Sequence, residues 1–407
     1  MQDLIRPLVV RNSSKILMLV MDGLGGLPAP EGPDKGKTEL EAAETPHMDA
    51  LAREGACGLH VPVKPAITPG SGPGHLGLFG YDPQVYQIGR GILEALGLDM
   101  EIKDTDIAIR GNYATMRDGL IEDRRAGRIP TEEGKKLTAR LQQRVREVDG
   151  VEVTFVQGME HRLAIRLRFP GKMPPGSQSI EDTDPQETGK EPLPIEAETP
   201  EAERVAGVAR KVLEEAAQVL KEEEKANYLL LRGFSQLPDM PSFEEAYGLR
   251  ALAIAAYPMY RGVAKLVGMR APDLTGDLRE EFDVLRGNYG KYDFFFFHVK
   301  KVDSYGEDGN FEAKKRKIEE VDRFLPKLLE LGFDVATITG DHSTPSALRS
   351  HSWHPVPVLI KAPYVLGALS QGFSERECLR GELGIFRSVG LMPLLLANAG
   401  RLKKFGA

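Results

Sequence analysis

Three short, uninterrupted apolar runs limit what this chain can fold into more than any other feature. They occupy residues 15–21, 293–299 and 335–338. Runs of this length without polar alternation are the form taken by strands buried on both faces. Such strands belong to mostly parallel sheets covered by helices, and open α/β sheets carry their chemistry at the carboxyl ends of the strands. Each run stops at residues suited to that task. The first ends in Asp22-Gly23-Leu24-Gly25-Gly26, the second in Lys300 through Asp303 to Glu307, and the third in Thr339-Gly340-Asp341-His342. His351 and His354 follow closely, so three of the eight histidines fall between 342 and 354.

Between these runs the pattern alternates in the α/β manner. Thr45-Pro46 opens a helix, with the threonine as N-cap and the proline in the first turn. A helix from 200 to about 224, a strand at 227–233, a strand near 249–256 and a short helix at 259–269 follow one another. An amphipathic helix over 312–331 carries Ile318, Val321, Leu325, Leu328 and Leu329 on one stripe. Consecutive strand–helix–strand units imply right-handed crossovers. The interruption lies at 99–199. There the runs 107–110, 151–156 and 161–168 alternate as half-buried strands do, and 133–148 has helical spacing. This reads as a smaller α+β unit inserted into a discontinuous core of residues 1–98 and 200–407, with the proline- and acid-rich stretch 181–199 as a linker or exposed loop.

Composition removes several function classes. A net charge of −7 argues against a nucleic-acid binder, which needs a basic surface. Only Cys57 and Cys378 are present, so no disulfide framework is available and a reducing compartment is expected. No apolar run approaches the ~20 residues of a membrane span, and the first fourteen residues lack a signal-peptide apolar region. A cytoplasmic protein without membrane or nucleic-acid partners is expected, with a homo-oligomer left open.

The glycine-rich stretch Thr68-Pro69-Gly70-Ser71-Gly72-Pro73-Gly74-His75 precedes a helical turn. Small neighbours leave the Ser71 hydroxyl open, and a helix N-terminus beside it would favour developing negative charge. A hydrolase nucleophile elbow does not accommodate Pro73, so a serine activated by a metal fits better. Likewise, an acid precedes the glycines at 23–26, which is unlike a dinucleotide-binding loop. Asp22, Ser71, Asp303 with Glu307, and Asp341-His342 with His351 therefore end strands or glycine turns that a parallel sheet would gather at one edge. Hard oxygens with imidazole nitrogens are a divalent-cation donor set, and two cations near one another suit phosphoryl transfer. Asp123-Arg124-Arg125-Ala126-Gly127-Arg128 supplies guanidiniums for phosphate and carboxylate groups. His298, inside a phenylalanine run, reads as a core histidine, as do His47 and His60; His161, beside Arg162, is open to substrate contact.

Taken together, these motifs resemble the cofactor-independent phosphoglycerate mutases of the archaeal type, members of the alkaline-phosphatase-like superfamily. The resemblance spans nearly the whole chain and includes residues 21–26, 69–76 with 79–83, 89–91, 123–128, 182–185 and 340–345. It implies an alkaline-phosphatase-like core with a mostly parallel sheet flanked by helices, plus an inserted cap. It further implies that 3-phosphoglycerate and 2-phosphoglycerate interconvert through a phosphoserine on Ser71, without 2,3-bisphosphoglycerate, while the cap keeps water out. Asp22, Ser71, Asp341 and His342 would hold one divalent ion, and Asp303 and His351 a second. Manganese is usual, with magnesium, cobalt or zinc also used in the superfamily. Arg124, Arg125, Arg128, Arg261 and Lys300 would hold the substrate's anionic groups. A homoserine-kinase-like or phosphatase-like relative acting on another small metabolite is the alternative, followed by a binding protein with a decayed metal site. One departure is informative: where the family has a histidine ligand of the second ion, this chain has Glu307. A carboxylate can still ligate manganese or magnesium. His354 stands where the family more often has an acid, and Arg261 where a lysine is more usual.

Overall fold

The run at Ile16–Met21 forms an interior strand of a seven-stranded sheet, and every one of its side chains is buried. It pairs in parallel with Phe294–Val299 on one side and Val335–Thr339 on the other. The computed structural model describes residues 2–367 and 369–406. From edge to edge the sheet runs Gly384–Arg387, Ala56–Val61, Val356–Lys361, Val335–Thr339, Ile16–Met21, Phe294–Val299 and Ala251–Ile254. Only Val356–Lys361 runs against the others, so the sheet is mixed but mostly parallel, as expected. Phe294, Phe295, Phe296 and Phe297 are completely buried. Each such side chain is worth roughly 1.5–3 kcal/mol of burial, so the least polar strand anchors the sheet between Ile16–Met21 and the edge strand Ala251–Ile254.

Register places the chemistry. Met21 lies opposite Val299, and Val20 opposite Thr339. These three adjacent strands therefore end level, and the Asp22 N–H donates to the Val299 carbonyl at 3.0 Å. Asp303 is not on a loop. It lies in the helix Lys301–Glu307, which starts directly after the strand. The helix Pro46–Glu54 does begin after Thr45, yet that threonine makes no side-chain cap. Asp322, from the helix Phe311–Leu329, accepts from the N–H groups of Met48 at 2.7 Å and His47 at 3.3 Å instead.

The chain divides into two compact units: Met1–Gln87 with Met240–Tyr257 and Val267–Ala407, and Ile88–Asp239 with Pro258–Leu266. The second is larger than the 99–199 insertion expected, for a reason found in strand pairing. Tyr228–Ser235, expected in the core, pairs antiparallel with Asp106–Arg117 of the second unit. The helix Glu203–Leu220 buries Val205, Val208 and Val212 in that same unit's core. The helices Arg90–Gly97 and Pro258–Leu266 also belong to it, and adding a side chain at Gly97 or Gly262 would strike the backbone of the other helix. The stretch 181–199 is no free linker. Thr183 donates its N–H to the Leu231 carbonyl and accepts the Leu231 N–H on its hydroxyl, both at 2.8 Å. Asp182 accepts the Gly233 N–H at 2.7 Å. No helix among the described residues is long and apolar enough to cross a membrane.

Candidate functional site

In the first unit, two strand ends and a helix start converge on one imidazole. Ile16–Met21 delivers Asp22, and Gly23 follows at φ +65°, a left-handed conformation that only glycine adopts without strain. Val335–Thr339 delivers Asp341 and His342. Ser71 is the first residue of the helix Ser71–Leu78. The His342 Nε2 lies 3.2 Å from Asp341 Oδ2, 3.3 Å from Asp22 Oδ1 and 3.3 Å from Ser71 Oγ. Asp22, Asp341 and His342 are fully buried.

His75 was not singled out from the sequence, although it lies one helical turn after Ser71. Its Nδ1 is 2.8 Å from the Ser71 carbonyl and 3.2 Å from Asp341 Oδ2. Its ring packs edge-on against Phe296, centroids 5.5 Å apart, so the aromatic core fixes its height beneath the serine. His60 is structural, as expected. It contacts Ser388 Oγ at 2.6 Å and both Thr339 Oγ1 and the Gly340 carbonyl at 3.0 Å, and burial pulls its pKa down to about 4.

A second group adjoins the first. Asp303 Oδ1 lies 3.5 Å from His351 Nε2 and accepts from the Thr344 hydroxyl at 2.7 Å. The His342 and His351 rings stack with centroids 3.7 Å apart. The chain thus offers two sets of donors, Asp22–Asp341–His342 and Asp303–His342–His351, each with its ligand atoms within 4.8 Å of one another. His342 belongs to both, which the sequence reading, assigning it to one set, did not anticipate. Glu307 belongs to neither. Its carboxylate is about half exposed, with Oε1 3.8 Å from His351 Nε2. His354 bonds to Ser352 Oγ at 3.0 Å and stacks on Trp353.

The donor chemistry fits divalent cations. Oxygen and imidazole donors are crowded into a buried space, and Asp341 Oδ2 accepts no hydrogen bond there. Burial pushes the Asp22 carboxyl up, but His342, Lys300 and His298 more than offset this and hold it well below the usual range. Burial pulls His342 down, whereas Asp341, Asp22 and Asp303 push it up to about 9. The Lys300 ammonium lies 3.1 Å from Asp22 Oδ2 and also pairs with Asp303, so it ties the two groups together. Despite burial, those carboxylates raise its pKa.

The other substrate-binding candidates lie in the second unit. Arg124 grips Asp184 through two bonds of 2.7 and 2.8 Å. Arg261 is buried and contacts Asp99 at 2.7 Å, alongside Lys265. Arg125 and Arg128 sit near His161, whose pKa burial pulls down to about 4, with Arg162, Arg110, Arg125 and Arg128 adding to the shift. The strands reveal further candidates. Arg110 pairs across the sheet with Arg232, and Arg162 with Asn112, which puts all three guanidiniums on one face. Arg90 begins the helix packed there, and its Glu94 lies 3.9 Å from Arg110. Burial pulls Arg110 down to about 10, Glu94 opposes this, and Arg162, Arg232 and Arg90 reinforce it. Alternation in 107–110 and 161–168 signals which face these residues take; which strands become neighbours it does not reveal.

A mostly parallel α/β sheet with carboxylates, imidazoles and a serine at its strand ends is an architecture suited to enzymes of phosphoryl chemistry. Comparison with known proteins narrows the class. Residues 52–226 match the family model described as 2,3-bisphosphoglycerate-independent phosphoglycerate mutase. A protein of Aquifex aeolicus (strain VF5), named "Probable 2,3-bisphosphoglycerate-independent phosphoglycerate mutase", is 60% identical over 410 residues, covering 100% of both chains. One of the same name from Thermus thermophilus is 50% identical over 407 residues, covering 99% of this chain and 98% of the relative. Among solved structures, a Pyrococcus horikoshii protein superposes with a TM-score of 0.82 at 29% identity, covering 98% of this chain and 100% of that one. The cofactor-independent phosphoglycerate mutase of Thermoplasma acidophilum gives 0.73 at 30% identity, covering 95% and 100%. The chain belongs to the family of 2,3-bisphosphoglycerate-independent phosphoglycerate mutases, and is thus an enzyme. Phosphoglycerate mutase is the function that this membership supports, with phosphoglycerate as substrate.

Proposed function

We propose that the chain interconverts 3-phosphoglycerate and 2-phosphoglycerate through a phosphoserine at Ser71, within a two-cation site. The observation that carries this reading is the convergence of Ser71 Oγ, Asp22 and Asp341 on His342 Nε2, all within 3.3 Å. Asp22, Ser71, Asp341 and His342 would hold one divalent ion, and Asp303 and His351 the other, with Glu307 as an outer ligand. When bound, such ions withdraw charge from phosphoryl oxygens and ease loss of the serine proton. Manganese suits the mixed oxygen and nitrogen donors; magnesium, cobalt and zinc are the alternatives.

In the forward direction Ser71 loses its proton and its Oγ attacks phosphorus. The bond from phosphorus to O3 breaks, and the glycerate oxygen takes up a proton. The free glycerate turns, its 2-hydroxyl gives up its proton as it attacks the phosphoserine, and Ser71 takes up a proton as the P–Oγ bond breaks. The Lys300 ammonium, kept charged by Asp22 and Asp303, stands ready for the transferring group. Arg110, Arg125, Arg128 and Arg162 supply the guanidinium donors that a carboxylate or phosphate requires. Arg124 and Arg261, each engaged by a carboxylate, act mainly by holding their segments in place.

The test is a coupled assay. Metal-depleted protein receives 3-phosphoglycerate and enolase, without bisphosphoglycerate, before and after manganese is added. Turnover that depends on the cation is expected; no turnover with any divalent cation overturns the mutase reading. Ser71→Ala should abolish turnover, and full activity in that variant overturns the phosphoserine.

A further inference from the structure

We propose that Thr344 is the positioning residue that joins the two donor groups, by determining which nitrogen of His342 is left to face a cation. This rests on the two-cation reading above. The Thr344 hydroxyl lies between Asp303 Oδ1 at 2.7 Å and His342 Nδ1 at 2.9 Å. A carboxylate paired with an ammonium, as Asp303 is with Lys300, only accepts hydrogen bonds. The single proton of the hydroxyl is therefore committed to Asp303. The oxygen can then only accept from His342, so Nδ1 carries a proton. Nε2 is left as the nitrogen whose lone pair can ligate, and it is Nε2 that faces Asp22, Asp341 and Ser71. One hydroxyl thus sets the tautomer of an imidazole shared by both groups and the orientation of a carboxylate in the second.

The surroundings hold Thr344 rigidly enough to do this. It is fully buried, and its N–H donates to the Gly25 carbonyl at 3.0 Å. Its own carbonyl accepts from Lys314 Nζ at 2.8 Å, and that ammonium, also fully buried, donates to Gly25 O at 3.1 Å. The loops bearing Asp22 and His342 are thereby tied together behind the site. On the other side, Gly306 leaves room for the threonine: a Cβ there would meet the Thr344 methyl at 3.0 Å. Thr344 touches none of the reacting atoms and acts through its two neighbours.

Two substitutions separate the hydroxyl from the shape. Thr344→Val keeps the branched outline and loses the oxygen, while Thr344→Ser keeps the oxygen and loses a methyl. Manganese binding to metal-depleted protein is measured by calorimetry, with thermal melts of the metal-free proteins alongside. The expected result is about 10–100-fold weaker binding in Thr344→Val, and binding within about threefold of the parent in Thr344→Ser. Equal affinity of Thr344→Val and the parent overturns the proposal, as does a serine variant as weak as the valine one. The second readout is nitrogen NMR of labelled histidines in the zinc-loaded parent, with His342 assigned by comparison with His342→Gln. A proton on Nδ1 is expected; a bare Nδ1 overturns the proposal even where Thr344→Val does not fold. If the parent itself binds no divalent cation, the two-cation reading fails as well, whereas a parent that binds with an unaffected Thr344→Val defeats the positioning role alone.

Discussion

The strand ends of the first unit and the sheet face of the second present the same electrostatic problem with opposite sign. At the strand ends, Asp22, Asp303 and Asp341 are buried together, and Lys300, with His342, whose pKa these carboxylates push up, answers them. On the sheet face, Arg90, Arg110, Arg162 and Arg232 are massed near one another; Arg232 is answered by Asp182 at 3.0 Å and Asp184 at 3.2 Å, while Glu94 stands 3.9 Å from Arg110. Concentrating like charge against burial costs stability unless a counter-charge arrives. The first region calls for cations and the second for anions. The two regions thus differ in the sign of the ligand that each is suited to hold.

The sharpest way to break this comparison is to neutralise one member at the strand ends. Asp341→Asn should lower mutase activity by about a thousandfold or more, since several kcal/mol of charge stabilisation depend on the held cation. The metal-free variant should melt at or above the parent's temperature, because a buried like charge has been removed. Activity within tenfold of the parent would show that the strand-end cluster is not the reacting centre.

On the cationic side a smaller loss is expected. Arg110→Met removes one guanidinium while keeping an apolar stem. KM for 3-phosphoglycerate should rise about 10–100-fold, the worth of a charge-assisted hydrogen bond, with a lesser change in kcat. A fall in kcat at unchanged KM would place Arg110 outside substrate recognition.

These two regions were not equally readable. The strand-end residues announce themselves because each lies within four residues of the end of an apolar run, and a parallel sheet brings such ends level without further information. Ser71 is similarly local, flagged by the glycines that open its helix. Arg110 and Arg232 carry no such local mark. They meet only because Tyr228–Ser235 pairs with Asp106–Arg117, a contact across more than a hundred residues that alternation cannot specify. The same pairing moved the boundary of the second unit past residue 199. Arg124 shows the converse: its motif was conspicuous, yet Asp184, sixty residues away, occupies it. Thr45 carried the signature of an N-cap, and a carboxylate from a distant helix took the task.

A carboxylate outside both regions calibrates what burial alone does. Glu281, on the helix Leu278–Asn288, is pushed up to about 8 by burial, against which Lys317 works. Its folded-state pKa stands above that of the unfolded chain, so the folded state retains the proton longer. Its contribution to stability is then complete below about pH 4.3, the unfolded value, and is lost as pH rises through about 8. Glu281→Gln should be close to neutral in acid and more stable than the parent above pH 8, by up to about 5 kcal/mol. Parallel denaturation curves at acid and alkaline pH check this; a difference that does not change with pH would place Glu281 in solvent.

The smallest effect is expected at the rim of the second donor group. Glu307 closes the helix Lys301–Glu307, with its carboxylate half exposed and 3.8 Å from His351. A solvated carboxylate at the rim adds charge to a cation site but little directional bonding, whereas an imidazole offers a nitrogen of the kind zinc and manganese bind well. Glu307→His should therefore strengthen retention of zinc more than of manganese, by a few fold, and reduce any preference for magnesium. Dialysis against graded chelator followed by metal analysis would register the change. Unchanged retention of all three ions would mean that residue 307 is not a ligand, and that Asp303 and His351 hold the second ion while His342 Nε2 serves the first. The Thr344 hydroxyl, bonded to both Asp303 and His342, would then make the two cation sites interdependent, so that metal binding at one should alter affinity at the other even in the parent protein.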